Sequence, residues 1–376
     1  MNITQEAYEK AINVLKCCSK PIGFYASGLP GGYEGLWARD SVISSLGTEA
    51  RFKNTSKKSL ELLSANQSKL GQIPNAVGDY NLDRRSKITY NTIDSTLWYL
   101  IGHQIYAKSY KDTSLLKKYK KNIDKAFLWL AYQDPNEDGL LAQQPTMDWQ
   151  DAFPHKYGRT INSHALYYTV LSMFDRKKLA EYIKKVINGD IEKYLSLYDK
   201  KLGYYLPWAW KNHDGDREQE EWFDTLGNLL AIVTGLASPA IAKSILKHIE
   251  REGINKPYPV KAIFPPIKKN DKEWHSYFSK CSAKDSYQYL NAGIWPFIGG
   301  FYIASLVKVK EFKKAEKELN NLAQANKLGV KKEWEFNEWL DGKTGKPKGA
   351  SYQGWSAGTY IFAFNCVRDR KVLFFS

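Results

Sequence analysis

Carboxylate side chains stand beside tryptophans at several points of this sequence. Clear cases are Gly35–Asp40 (GLWARD), Thr146–Asp151 (TMDWQD), Trp222–Asp224 (WFD) and Trp334–Trp339 (WEFNEW). Aromatic rings offer flat platforms to the apolar faces of sugar rings, and carboxylates accept hydrogen bonds from hydroxyl groups. The sequence has twelve tryptophans, many of them in such segments. This combination favours a small carbohydrate as the binding partner.

One of these segments supplies a candidate general acid. Glycoside hydrolysis requires one protonated carboxyl group for the leaving oxygen and a second, ionised one to activate water or attack carbon. Asp148 is the predicted acid because Met147 and Trp149 flank it, and apolar neighbours raise the pKa of a carboxyl group. Asp151 is the alternative. A capping role is less suitable, because both lie about ten residues before the predicted helix 161–174.

The second carboxylate is predicted to be Glu338, between Asn337 and Trp339. Glu335 is the alternative base. The competing interpretation is that this acidic pair only solvates a loop. The sequence therefore predicts Asp148 and Glu338 as the catalytic pair.

Other polar and aromatic residues are predicted to hold the sugar. Asp40 would accept bonds from two hydroxyl groups while Arg39 fixes it, although the two residues could also form a salt bridge at a helix start. Asp94 and Asp224 could instead be first-turn carboxylates stabilised by the helix dipole. The predicted substrate-binding set is Trp37, Arg39, Asp40, Asn91, Asp94, Trp149, Asp151, Trp208, Asp224, Trp295, Glu335, Gln353 and Trp355.

Sequence motifs for metals and nucleotides are missing. We find no HExxH or Walker A motif and no GxGxxG before a helix, and the six histidines have no ligand spacing. The four cysteines do not form a disulfide framework. We therefore predict acid/base chemistry without a metal or cofactor.

Helical periodicity recurs from one end of the chain to the other. Lys-rich amphipathic helices alternate with helices that carry little charge and are expected to be buried. The predicted helices are 4–18, 38–47, 52–70, 92–109, 114–133, 161–174, 176–197, 222–236, 238–251, 287–306, 309–325 and 352–366. The repeat of about 54 to 69 residues between inner helices indicates six helix hairpins. The predicted fold is an all-α (α/α)6 toroid, with residues 1–376 as a single domain.

The connections of this toroid are predicted to be uneven. Long connections precede the inner helices, and the returns to the outer helices are short. They also contain most of the carboxylate and tryptophan segments. Long loops on one face of a rigid scaffold are where a site is expected.

Composition narrows the possible binding partners of the protein and its expected cellular location. The net charge is +15, but only ten of the 55 basic residues are arginine, the residue that reads phosphates and guanines in a bidentate manner. We therefore predict a solvated lysine surface and no nucleic-acid partner. The longest apolar stretch is far shorter than the roughly 20 residues that span a bilayer. With an N-terminus unlike a signal peptide, this predicts a cytoplasmic protein with no membrane partner.

Two families resemble this sequence. The N-terminal half is similar to the amylo-α-1,6-glucosidase domain of glycogen-debranching enzymes, in Trp37–Ser41, Gly71–Asn75, Tyr90–Trp98 and the segment leading to Asp148. The C-terminal half resembles neutral/alkaline invertases, in Leu226–Ser238, Asn291–Pro296 and the segments Asn337–Lys343 and Tyr352–Gly358. The resemblance implies an (α/α)6 glycoside hydrolase that inverts configuration, with Asp148 as acid and Glu338 as base.

The sequence departs from the two families in one segment. The families have a Glu at the start of the inner helix after the catalytic Asp, where this chain has Thr160–Ser163. We expect the substrate to be a small α-glucoside, either sucrose-like or an α-1,6-linked oligosaccharide.

Two other functions remain open. One alternative is a sugar epimerase or isomerase of the same barrel, using His155, His164, His213 and His275. The other is a carbohydrate-binding protein without activity.

Overall fold

A computed structural model describes residues 2–47, 50–78, 86–191, 196–211 and 217–375. Within these ranges the chain forms thirteen α-helices, which account for nearly all its regular structure. They are α1 Ile3–Cys18, α2 Ala38–Ser45, α3 Lys53–Ala65, α4 Asp94–Tyr110, α5 Ser114–Lys118, α6 Lys120–Ala131, α7 Ile161–Met173, α8 Lys177–Asn188, α9 Thr225–Thr234, α10 Pro239–Arg251, α11 Pro296–Lys308, α12 Phe312–Lys327 and α13 Gly354–Asp369.

Six of these helices form a closed inner ring. Contacts run from α2 to α4, α7, α9, α11 and α13, and α13 returns to α2. Helices α7, α11 and α13 are buried over most of their length because nearly every side is apolar or small. The helices α1, α3, α5 with α6, α8, α10 and α12 contact this ring from outside. The predicted all-α (α/α)6 toroid is confirmed.

Short strands link the helices on the side of the long connections. They are β1 Ser19–Lys20, β2 Gly23–Phe24, β3 Gly35–Trp37, β4 Ala76–Gly78, β5 Ile88–Thr89, β6 Arg159–Thr160, β7 Tyr198–Asp199, β8 Tyr204–Tyr205, β9 Trp208–Lys211, β10 Arg217–Gln219, β11 Phe223–Asp224, β12 Ile263–Phe264, β13 Trp339–Leu340 and β14 Pro347–Lys348. All the pairings are antiparallel. In the sheet β3-β4-β5, Trp37 pairs with Ala76 and Ala76 with Thr89, which aligns these three side chains.

Three predicted helices were wrong in their extent. The predicted helix 287–306 begins only at Pro296, because proline is favoured at the first helical position and Tyr287, Tyr289 and Ala292 before it have positive φ. The predicted helix 114–133 divides at Tyr119 into α5 and α6. The predicted helix 176–197 ends with α8 at Asn188, where Gly189 follows with φ +80°.

Within the described ranges, each helix is too short or too polar to cross a bilayer. No group of three or more His, Cys, Asp and Glu side chains in those ranges is arranged to hold a metal ion.

Candidate active site

A cavity of about 150 Å³ lies among the long connections and the first turns of the inner helices. Its wall consists of Ala26, Tyr33, Trp37, Arg39, Asp40, Asn75, Ala76, Thr89, Asn91, Trp149, Asp151, Tyr289, Trp295, Glu338, Gln353 and Trp355. Segments distant in the chain therefore meet at one end of the barrel.

The cavity contains ten of the fifteen predicted site residues. They are Trp37, Arg39, Asp40, Asn91, Trp149, Asp151, Trp295, Glu338, Gln353 and Trp355. The other five, Asp94, Asp148, Trp208, Asp224 and Glu335, lie off its wall.

Three of the four indoles in the wall contact one another. The rings of Trp149 and Trp295 meet edge to face at 5.5 Å, and Trp295 meets Trp355 in the same way at 5.7 Å. Phe297 supports the group from below by stacking on Trp355 at 4.2 Å between ring centres. Because each ring is held by its neighbours, the indoles form a fixed platform.

Two of these indoles and one amide also carry buried polar atoms. Among the described residues, the indole nitrogens of Trp149 and Trp355 and both amide atoms of Gln353 are buried with no hydrogen-bond partner. A buried polar group without a partner costs about 1–3 kcal/mol.

The predicted Arg39–Asp40 clamp is an ion-pair network at the start of α2. Arg39 Nε lies 3.4 Å from Asp40 Oδ2, and its Nη1 lies 3.5 Å from Asp94 Oδ2. Burial alone would lower the pKa of Arg39, but the charges of Asp40 and Asp94 raise it above its usual value. Asp94 is fully buried behind Arg39, at the first position of α4. The arginine can therefore hold Asp40 at the cavity wall while Asp94 holds the arginine.

Asp151 is the carboxyl group of the 146–151 segment that faces the cavity. Its side chain is exposed to the cavity solvent. Loss of hydration within the surrounding wall raises its pKa to about 6, against the opposing charge of Arg39 and with a further rise from Asp40. Its side chain makes no ion pair within the described ranges. Asp151 is therefore a carboxyl group that can reach a ligand and exchange a proton.

Asp148 has a different environment. It is fully buried and off the cavity wall. Its Oδ2 lies 2.9 Å from Lys156 Nζ and accepts a bond of 3.2 Å from Gln143, while its Oδ1 accepts from the backbone N–H of Gln150 at 2.9 Å. Both oxygens of Asp148 are therefore engaged by partners within the protein.

Two hydrogen-bond donors hold the carboxylate of Glu338. The hydroxyl of Tyr33 donates to its Oε1 and the backbone N–H of Ala350 to its Oε2, both at 3.0 Å. Gly349, at φ +70°, permits this approach, because a Cβ there would lie 2.6 Å from Glu338 Oε2. Burial raises the pKa of Glu338 to about 7, although both donors oppose the rise.

Glu335, the alternative base, is engaged in loop structure. Its carboxylate accepts from the backbone N–H groups of Val330 at 2.7 Å and of Lys331 and Lys332 at 3.2 Å. It is 3% exposed and does not line the cavity. The carboxylate of Glu335 therefore holds the turn 329–335, and its contact with a substrate stays a prediction.

Two other predicted contact residues, Asp224 and Trp208, also lie off the cavity wall. Asp224 caps α9 by accepting from the N–H of Gly227, and its Oδ2 lies 3.0 Å from Lys156 Nζ. Trp208 is buried on β9 and packs on Tyr157 at 4.4 Å between ring centres. Both belong to the scaffold behind the site.

The histidines required by the epimerase alternative do not line the cavity in the described ranges. His164 is fully buried in α7, where loss of hydration lowers its pKa to about 4. His155 and His275 stack on each other at 3.9 Å in two loops outside the wall. His213 lies outside the described residues.

Sequence reasoning missed four polar residues of the wall: Tyr33, Asn75, Thr89 and Tyr289. Asn75 ends the Gly71–Asn75 motif, which could have indicated it. Nothing near Tyr33 in the sequence suggests its bond to Glu338, which is 305 positions away.

The raised carboxyl pKa values predict that stability falls with rising pH. Glu338 titrates near 7, and Asp40 and Asp94 near 6, chiefly because they are buried. The folded chain therefore keeps protons that the unfolded chain releases near pH 4, so this contribution to stability is lost as pH rises from about 4 to 7. We expect the melting temperature to fall across this interval, measured by scanning calorimetry.

A substitution isolates this effect. Glu338→Gln should flatten the pH slope and raise the melting temperature at pH 7.5 by roughly 2 °C. Asp175→Asn is the control, because the Asp175 side chain is 82% exposed. An unchanged slope in Glu338→Gln would contradict the prediction.

The closed ring of helices is an (α/α)6 barrel, and carboxyl groups and indoles line the cavity at one end of it. The family model described as alkaline and neutral invertase matches residues 166–369, more than half of the chain. The model for amylo-alpha-1,6-glucosidase matches residues 20–200. The chain belongs to the alkaline and neutral invertase family, and both resemblances seen in the sequence are confirmed.

Curated relatives extend the same result. Over 173 residues the chain is 32% identical to probable alkaline/neutral invertase D of Arabidopsis thaliana, covering 44% of this chain and 30% of that protein. Over 154 residues it is 30% identical to cytosolic invertase 1 of Oryza sativa subsp. japonica, covering 39% and 26%. The matched part thus spans less than a third of each relative's length.

Solved structures with the same fold are more distant in sequence. The GH63 mannosylglycerate hydrolase from Thermus thermophilus, in complex with Tris and D-glycerate, superposes with a TM-score of 0.71 at 13% identity over 94% of this chain and 99% of that one. A rhamnosidase from Klebsiella oxytoca with rhamnose bound gives 0.63 at 14% identity, over 96% and 63%. These likenesses concern the fold.

Proposed function

We propose that this chain is an inverting glycosidase that removes a terminal α-glucosyl residue from a small α-glucoside in the cytoplasm. A sucrose-like substrate or an α-1,6-linked oligosaccharide is favoured by the two family matches. One curated relative carries the name cytosolic invertase 1, which supports the proposed location.

The observation that carries this proposal is that Asp151 and Glu338 line one cavity, together with four indoles. The charge of Asp151 contributes to the raised pKa of Glu338, so the two carboxyl groups are close enough to interact electrostatically. Two carboxyl groups around one ligand site are the minimum requirement for glycoside hydrolysis.

We assign the acid role to Asp151 in place of Asp148. A general acid must reach the glycosidic oxygen and carry a proton at the working pH. Asp151 is exposed to the cavity and has a raised pKa, whereas Asp148 is buried against Lys156. Asp151 would donate its proton to the leaving oxygen as the bond to the sugar's anomeric carbon breaks.

Glu338 is the proposed base. Tyr33 and the N–H of Ala350 both donate to its carboxylate, and these donors oppose the rise that burial causes in the pKa of Glu338, to about 7. Glu338 would accept a proton from a water molecule as that water attacks the anomeric carbon from the opposite face. One proton enters the leaving group and one leaves the water, and the configuration at carbon inverts.

The terminal sugar would lie against Trp355 and Trp149, with Asp40 and Gln353 bonded to its hydroxyl groups. Asp40 is held by Arg39, which also lies 5.6 Å from the centre of the Trp355 ring. The clamp and the platform are thus fixed relative to each other, which suits recognition of one end of a substrate.

The test is to incubate the purified protein with sucrose, trehalose, maltose, isomaltose and glucosylglycerate and to follow the products by NMR. We expect release of β-glucose as the first-formed anomer from at least one of them. First-formed α-glucose would exclude inversion. Sugar isomerisation would support the epimerase alternative, and binding without product would support a carbohydrate-binding protein.

A further inference from the structure

The loop that contains Asp151 also contains a fully buried lysine, Lys156. Between α6 and β6 the chain runs without a helix or strand, and its two arms meet where Gln143 and Gly158 exchange backbone hydrogen bonds of 2.9 and 2.8 Å. Asp151 lies near the middle of the loop so enclosed. A loop of this length needs further constraints to hold one side chain in a fixed position.

Lys156 supplies such a constraint. Its side chain is fully buried, and its Nζ donates to Gln150 Oε1 at 2.6 Å and lies 2.9 Å from Asp148 Oδ2. The same ammonium group lies 3.0 Å from Asp224 Oδ2. It therefore joins residues on the N-terminal side of Asp151 to its own position on the C-terminal side, and fixes both to the start of α9.

We propose that Lys156, with Asp148 and Asp224, is a clamp that positions Asp151 for proton donation. This inference rests on the proposed function. It gives Asp148 a role that explains its burial: it anchors the loop and does not touch the substrate. Lys156 is a positioning residue, since it acts through Asp151.

The charges of the clamp make its removal informative. Two buried carboxylates share one ammonium group, so loss of Lys156 leaves both without a cation, which strongly destabilises a buried network. Exchanging Asp148 for asparagine as well lowers the uncompensated charge from two to one. Stability and positioning can thus be separated, because the double variant still lacks the link across Asp151.

The experiment compares Lys156→Met with Lys156→Met/Asp148→Asn. In Lys156→Met we expect kcat to fall about 100-fold, the loss typical of a misplacement of about 1 Å, with KM little changed. The double variant should regain thermal stability but keep the low kcat. Amide hydrogen exchange of residues 148–152 should be faster in both variants. Lys156→Arg, which keeps the charge, should recover part of kcat.

Glu318→Gln is the matched control, because Glu318 is a buried carboxyl on the outer helix α12 that accepts from Asn255. It should lower stability and leave kcat unchanged. Wild-type kcat in folded Lys156→Met, or kcat restored together with stability in the double variant, would overturn the clamp. If Lys156→Met does not fold, the double and Arg variants decide. If the wild-type protein hydrolyses no glycoside, the proposed function fails, and unchanged hydrogen exchange at 148–152 would separately refute the clamp.

Discussion

The Asp151→Asn variant is expected to lose about 1,000-fold in kcat on a natural glycoside, the middle of the range for loss of a general acid. The asparagine amide has the shape of the carboxyl group but no proton to give to the leaving oxygen. On α-glucosyl fluoride, whose fluoride leaves without protonation, the loss should be less than about 10-fold. Steady-state kinetics on both substrates measure this difference.

Asp148→Asn is the matched control for this prediction, three residues away in the same loop. The amide oxygen of the asparagine can still accept from Lys156, and the substitution reduces the excess negative charge of the clamp. We expect kcat to fall less than about 10-fold, and by the same factor on both substrates, because no proton is transferred by this residue. The reverse pattern, with a leaving-group-dependent loss in Asp148→Asn alone, would return the acid role to Asp148.

Glu338→Gln is expected to lose about 1,000-fold or more on every substrate, α-glucosyl fluoride included. Activation of water is required whichever group leaves, so a good leaving group cannot compensate. The amide can keep both local contacts, by accepting from the N–H of Ala350 and donating to the Tyr33 oxygen. The fold should therefore be retained, as the expected rise in melting temperature at pH 7.5 would show.

The control for Glu338 is Glu335→Gln. Glu335 accepts three backbone N–H groups with two oxygens, and an amide has only one acceptor atom. We expect lower stability and an unchanged kcat for the folded enzyme. Azide should restore activity to Glu338→Ala, because azide attacks the anomeric carbon without a general base. Formation of β-glucosyl azide would directly support the base role of Glu338. If Glu338→Gln regained activity only on α-glucosyl fluoride, Glu338 would instead be the acid and Asp151 the base.

Much of the scaffold could be predicted from the sequence because its signals are local. The alternation of lysine-rich and apolar helices follows from which faces meet water, and it predicted the two rings of the barrel. The position of the long connections predicted the end of the barrel that carries the site. The main errors, at Pro296, Tyr119 and Asn188, are boundaries where a proline, a break in the helix or a glycine ends regular structure.

The sequence by itself determined the barrel, the carbohydrate-type wall and the two segments that hold the carboxyl groups. Only the tertiary structure decided which carboxyl of each segment faces the cavity. Met147 and Trp149 suggested an apolar surrounding for Asp148, but its carboxyl group contacts Lys156, which also contacts Asp224 in another hairpin. Glu338 likewise depends on Tyr33 from the first hairpin. Partners so distant in sequence leave no local pattern, because their contacts exist only once the ring of helices has closed.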